Sequence, residues 1–107
     1  MGEMIDTTPI TEKAVLVGLI TEDQDEKQAR EYLSELAFLT DTAGAVVLKH
    51  FLQQLDRPHP VTFVGQGKLK EIADYIKVTE ADTVIFDDEL SPTQLRNIER
   101  ELQCKIL

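Results

Sequence analysis

The chain has 107 residues, of which 42% are hydrophobic, a composition that fits one globular domain and excludes a disordered chain. Its formal net charge of −9 repels phosphate backbones and argues against stand-alone nucleic-acid binding. One cysteine, Cys104, excludes a disulfide within the chain and suits the reducing cytoplasm. No apolar run is long enough to predict a membrane span.

The first half of the chain predicts two strands with a helix between them. Residues 1–12 are polar and are interpreted as a flexible lead-in, and residues 13–107 as a single α/β domain. "KAVLVGLIT" (13–21) is apolar on both faces, as in a strand whose sheet is covered by helices on both sides. A capping-box pattern at Asp25 starts a helix, and "AVVLKHFLQQL" (45–55) predicts the second strand.

The second half predicts two further strands and two further helices. Two prolines make residues 56–60 an extended loop, and "VTFVG" (61–65) is strand-like. A helix with one apolar face runs from Lys68. "DTVIFDDE" (82–89) predicts the third strand, "SPTQ" starts a helix capped by Ser91, and "CKIL" predicts the fourth strand.

Strands and helices therefore alternate along the whole domain. This alternation predicts the α/β class, with a small, mostly parallel four-stranded sheet flanked by about three helices. In such sheets, ligands bind beyond the carboxyl ends of the strands, so polar residues at those ends are candidate site residues.

A glycine-rich turn precedes the second predicted helix. It consists of Gly65, Gln66, Gly67 and Lys68, and is called the Gly-Lys turn below. It resembles the end of a Walker A loop, G-x-x-x-x-G-K-[ST], but Thr62 stands in place of the first glycine and Leu69 in place of the hydroxyl residue. Glycines at a helix N-terminus still expose N–H groups to an anion. Three interpretations stay open: a structural turn, a contact with another domain, or a small-molecule phosphate or ATP site.

Carboxylates follow the third predicted strand. Asp87 and Asp88, with Glu89, could hold Mg²⁺, form a solvated turn before the next helix, or pair with Lys68. Glu22 and Asp23 end the first strand in the same way, and the two groups together suggest a phospho-acceptor receiver domain. A late-strand lysine, which such a domain needs, is missing.

The histidines and the cysteine predict no catalytic centre. His50 lies in a predicted strand and His59 between two prolines, and neither joins a nucleophile in a recognisable arrangement. Cys104 is expected to be a buried, inert thiol, because free cysteine is among the most buried residue types.

Several segments together resemble one known family. "PVTFVGQGKLKEI", "ADTVIFDDELSPTQLRNIERELQCKIL" and "DEKQAREYLSELAFLTDTAG" are similar to the N-terminal domain of the HflX-type GTPases. The resemblance covers roughly residues 14–107, and "VIFDDELSPTQLRNIE" is its most specific part.

The resemblance implies an N-terminal regulatory or interaction domain of a cytoplasmic GTP-binding protein. In that family a helical segment and a G domain follow the α/β domain, and the G domain binds GTP and Mg²⁺. The proteins associate with the large ribosomal subunit and act in ribosome rescue or splitting. No complete nucleotide motif is present here, so the resemblance implies neither catalysis nor a cofactor in this chain.

Overall fold

The computed structural model of the protein describes residues 11–107, so all but two residues of the expected lead-in lie outside the described part. The strands are β1 (Lys13–Ile20), β2 (Val46–Gln54), β3 (Thr83–Phe86) and β4 (Lys105–Ile106). The helices are α1 (Glu26–Thr42), α2 (Gln66–Thr79) and α3 (Pro92–Leu102). Four strands and three helices in alternation confirm the predicted α/β class.

The sheet has the strand order β2-β1-β3-β4, and every neighbouring pair is parallel. β1 is central, and its six inner residues are buried, as its apolar sequence predicts. Val15 pairs with Val84 of β3 and with Lys49 of β2. The register shifts between Ala14 and Val15, which leaves Leu48 of β2 without a partner on β1.

The two faces of the sheet carry different helices. On one face, β1 and β3 pack with α2 and α3 in a single apolar core that includes Val17, Phe86, Ile72 and Ile98. On the other face, α1 packs on β1 and β2. A Cβ at Gly18 would lie 3.2 Å from the side chain of Leu33, so this glycine lets α1 approach the sheet closely.

Local hydrogen bonds begin two of the helices as predicted. Asp25 and Gln28 form a capping box at α1, and Ser91 and Gln94 form one at α3. α2 differs, because its cap is Gly65 and no side chain bonds its first turn. It begins at Gln66, two residues before the predicted start.

Two strand predictions need correction. Residues 61–65 form no strand: the chain makes a tight turn there, with Phe63 at φ 65° and a single bridge between His59 and Phe63. β3 ends at Phe86, before the predicted limit, because the next residues turn away and Asp88 Oδ1 accepts the Glu89 N–H at 2.7 Å. Among residues 11–107, no helix combines the length and apolar character needed to cross a bilayer.

Candidate functional site

The Gly-Lys turn lies beside the carboxyl end of β2. The Gly65 N–H donates to Gln53 Oε1 at 2.8 Å, and a Cβ on Gly65 would lie 3.1 Å from Gln53 Nε2. A Cβ on Gly67 would meet nothing within 4 Å. The first N–H groups of a helix have no partner within the helix, and α2 has no side-chain cap. Its N-terminus can therefore receive an acceptor from outside.

Lys68 forms an ion pair within α2. Its Nζ lies 3.1 Å from Glu71 Oε1, one turn further along α2. Leu69 offers no hydroxyl to Mg²⁺, and phosphate or ATP binding at this turn stays a prediction.

Four basic side chains gather around the exposed edge of the sheet. β2 is an edge strand of the described sheet, and a cleft of about 380 Å³ beside it is lined in part by the basic residues Arg30, Lys49, His50 and Lys68. This set is called the β2-edge patch. Arg30 pairs with Glu26 at 2.8 Å. Lys49 Nζ lies 4.8 Å from the centre of the Phe51 ring. Glu71 lines the same cleft, and Arg30 and Lys68 are each paired with a glutamate, so acidic groups offset part of the positive charge of the patch.

The predicted carboxylates line a different cleft. Asp87 and Asp88 lie beyond the end of β3, and Asp23 lies beyond the end of β1. These three acids line a cleft of about 480 Å³, called the carboxylate cleft, together with Tyr32 of α1. Because β1 and β3 are neighbours, the acids that follow them meet at one edge of the sheet.

Burial and repulsion act on one of these acids. Partial burial raises the pKa of Asp87, and the nearby charges of Asp88 and Glu35 raise it further. The Asp87 N–H donates to Val17 O at 2.8 Å, which anchors its backbone to β1. Within residues 11–107 no group of three His, Cys, Asp or Glu side chains is arranged to hold a metal ion. Mg²⁺ binding by Asp87 and Asp88 stays a prediction.

The structure separates the two predicted groups of site residues. Lys68 lines the cleft of the β2-edge patch, whereas Asp87 and Asp88 line the carboxylate cleft. The charge partner of Lys68 is Glu71, not the carboxylates with which the sequence suggested it could pair. A phosphate held at the Gly-Lys turn would therefore not share one cleft with a cation held by Asp87.

Sequence reasoning missed the side chains that hold the turn at residues 59–64. Gln94 Nε2 donates to His59 O at 2.8 Å, and Asn97 Nδ2 donates to Val61 O at 3.1 Å. His59 Nδ1 also accepts the Val61 N–H at 3.1 Å. His59 therefore has a structural role, and α3 fixes the loop that leads into the Gly-Lys turn. The capping-box pattern at Ser91 predicted a structural role for Gln94 at the start of α3. Nothing in the sequence predicted that α3 also contacts the loop at residues 59–64.

Comparison with known proteins identifies the family. The family described as "GTP-binding GTPase N-terminal" matches residues 30–107. The protein named GTPase HflX from Flavobacterium psychrophilum is 49% identical over 96 residues, which cover 90% of this chain and 23% of that protein. GTPase HflX from Lacrimispora saccharolytica is 43% identical over the whole chain and 25% of its own length.

A third relative, GTPase HflX from Escherichia coli, is 40% identical over 97% of this chain and 24% of its own length. The chain thus spans about a quarter of the relatives that it matches. A solved crystal structure of a variant of SsGBP has the same fold, with a TM-score of 0.63 and 23% identity over 90% of this chain and 28% of its own. The chain therefore belongs to the GTP-binding GTPase N-terminal family and is an N-terminal domain of the HflX type.

Proposed function

We propose that this chain is the regulatory and interaction domain of a cytoplasmic GTP-binding protein that associates with the large ribosomal subunit and acts in ribosome rescue or splitting. GTP and Mg²⁺ bind in the G domain of that protein, and this domain packs against the G domain and its helical segment. The observation that carries the proposal is the match to proteins named GTPase HflX over 90–100% of the chain.

The chemistry of the described residues supports an interaction role. His59 holds a turn, and His50 is exposed on an edge strand. The Cys104 thiol is half-buried rather than fully buried, and desolvation together with the negative charge of Asp82 raises its pKa. A raised pKa keeps the thiol protonated and unsuited to nucleophilic attack. His59 and Cys104 are therefore not arranged for catalysis, which fits an interaction role.

The β2-edge patch supplies a surface that suits ribosomal RNA. The net charge of −9 repels phosphates over most of the domain, so a contact with RNA must use a locally basic surface. Lys49 and His50 are both exposed on β2, and they line one cleft with Lys68 and Arg30. The patch would orient the parent protein on the subunit without giving this domain strong RNA affinity of its own.

Binding of the full-length protein to purified large subunits tests the proposal. Deleting residues 1–107 should weaken co-sedimentation with the subunit and reduce ribosome-stimulated GTP hydrolysis. Lys49→Glu should weaken binding by about tenfold at low salt and less at high salt. Lys77→Glu, on exposed α2, is the matched control and should change binding little. Unchanged binding and unchanged GTPase stimulation on deletion would refute the proposal.

The alternative function is a small-molecule phosphate or ATP module at the Gly-Lys turn. The free N-terminus of α2 and the open space at Gly67 favour it, and the Lys68–Glu71 ion pair opposes it. Calorimetry with ATP, GTP and MgCl₂ decides between the two. Absence of heat at millimolar ligand, or heat that Lys68→Ala leaves unchanged, removes this alternative.

A further inference from the structure

A groove lies beside α1 at the amino ends of the strands. Its volume is about 400 Å³, and it is bordered by the start of β1, the start of β3 and the turn that leads into β2. It is called the amino-end groove. The apolar lining consists of Ala14, Leu39, Ala43, Ala45, Ile85 and Leu107. Among the lining residues that the structure describes, only Glu12 is charged, so the groove suits an apolar occupant.

Two large apolar side chains of the groove are exposed to water, whereas the opposite face of the sheet buries its own. Leu39 is 59% exposed and Leu107 is 62% exposed. On the opposite face, Val84 of β3 is 0% exposed and Ile106 of β4 is 9% exposed. Parallel sheets are normally covered on both faces, so burial of Leu39 and Leu107 by a further segment would be favourable.

Glu12 fixes the point at which the chain enters β1, and this point lies at the groove. Its carbonyl accepts the Val46 N–H at 2.8 Å. Its Oε2 accepts the Thr83 hydroxyl at 2.9 Å and lies 2.9 Å from Lys105 Nζ. These contacts attach Glu12 to all three other strands of the described sheet, so the residues that precede it leave from the wall of the groove.

The segment before this point is long enough and apolar enough to cover the groove. Residues 1–10 lie outside the described part of the chain. Their apolar side chains include Met1, Met4, Ile5 and Ile10. Ten extended residues reach about 33–36 Å, whereas the groove extends from β1 over β3 to β4, and neighbouring strands are about 4.8 Å apart. Pro9 disfavours a helix at Thr8, so this sequence suits an extended segment.

A second copy of the chain is a weaker candidate for the groove. Each copy has a net charge of −9, so two copies repel each other. Residues 1–10 are joined to Glu12 through Thr11, and such a tether gives an effective concentration on the order of millimolar without a bimolecular step. Tethering and charge therefore both favour the N-terminal segment of the same chain.

We propose that residues 1–10 fold back from Glu12 over the amino-end groove and cover it. The apolar side chains of the segment pack against Leu39, Ile85 and Leu107, and they remove these side chains from water. The lead-in is then part of the packed domain, as a strap across the α1 face, and not the flexible segment that its polar composition predicts. The proposal does not depend on the proposed function.

Thiol labelling of the 107-residue chain tests the proposal. Leu39→Cys and Leu107→Cys are each introduced in a Cys104→Ala background. Each is prepared with the native residues 1–10 and with a polar lead-in that carries the substitutions Met4→Ser, Ile5→Ser and Ile10→Ser. Both probes should react with a maleimide about threefold more slowly beside the native segment, because labelling then requires the segment to leave the groove. Val78→Cys, on α2 and 83% exposed, is the control and should react equally fast with both lead-ins.

Equal labelling rates of the two groove probes with the native and the polar lead-in would overturn the proposal. Protection that grows with the concentration of the chain would assign the groove to a second copy, and that result also overturns it. The experiment uses the chain without ribosomes and without nucleotide. Its outcome is therefore separate from that of the ribosome-binding test.

Discussion

The two faces of the sheet differ in how completely they are covered. On the α2 and α3 face, Val84 and Ile98 are both 0% exposed and belong to one continuous core. On the α1 face, Leu16 and Leu33 are buried as well, but Leu39 remains 59% exposed. The comparison teaches that one face of the sheet carries a more completely buried apolar core than the other.

Truncating one side chain on each face gives the largest contrast. Ile72→Ala on α2, at 0% exposure, should lower the free energy of unfolding by about 2–5 kcal/mol, because it leaves a cavity in the core. Leu39→Ala on α1 should change it by less than about 0.5 kcal/mol. Urea denaturation followed by circular dichroism measures both, and equal losses would contradict the distinction between the faces.

Gly18→Ala tests the close contact on the α1 face. The added methyl group would lie 3.2 Å from the Leu33 side chain, so the free energy of unfolding should fall by about 1–3 kcal/mol. Adding Leu33→Ala should cost less in this background than in the native chain, because the new methyl fills part of the space that Leu33 leaves. Strictly additive losses in urea denaturation would show that the two residues do not limit the approach of α1.

Gly67→Ala probes the α2 side at the Gly-Lys turn, with an effect of the opposite sign. The new Cβ meets nothing within 4 Å, and alanine favours a helix, so the free energy of unfolding should rise by about 0.5 kcal/mol. Urea denaturation measures the gain. If Gly67→Ala also leaves ribosome binding unchanged, then the ribosome does not need to approach the Gly67 backbone closely.

Asp87→Asn gives the smallest expected effect, and its sign depends on pH. The pKa of Asp87 is raised in the folded chain, so the folded state holds this proton more tightly than the unfolded state does. Its contribution to stability therefore falls as the pH rises from its unfolded pKa, about 3.9, through the raised folded pKa. The variant should be more stable than the native chain at pH 7 and not at pH 3.

Urea denaturation at both pH values checks this prediction. Asp74→Asn on α2 is the matched control, because it removes one negative charge outside the carboxylate cleft. If both variants gain equally at pH 7, the effect comes from the total charge of the chain and not from the surroundings of Asp87.

Local patterns were sufficient to predict most elements. The capping boxes at Asp25 and Ser91 involve residues three positions apart, and their geometry is set by the helix itself. The apolar run of β1 reports burial on both faces of the central strand. These patterns depend on near neighbours in the sequence, so they predict helices and strands without knowledge of the fold.

The conformation of residues 61–65 could not be predicted from near neighbours in the sequence. Their β-branched residues favour a strand, but the turn is held by Gln94, which is 35 positions from its partner His59. The grouping of the candidate site residues could not be predicted either, because it depends on the order of the strands in the sheet. Asp23 and Asp87 share a cleft because β1 and β3 are neighbours, while Lys68 lies beside β2. Helix periodicity carries no information about which strands are adjacent.

The central position of β1 also bears on how the domain forms during synthesis. β1 is made first, but its neighbour β3 lies about 70 residues later, as the bond from the Lys13 N–H to Asp82 shows across 69 positions. At typical elongation rates that interval lasts roughly 4 to 14 seconds. Throughout it, β1 lacks one of its two neighbouring strands, and unpaired apolar strands of this kind are prone to aggregation.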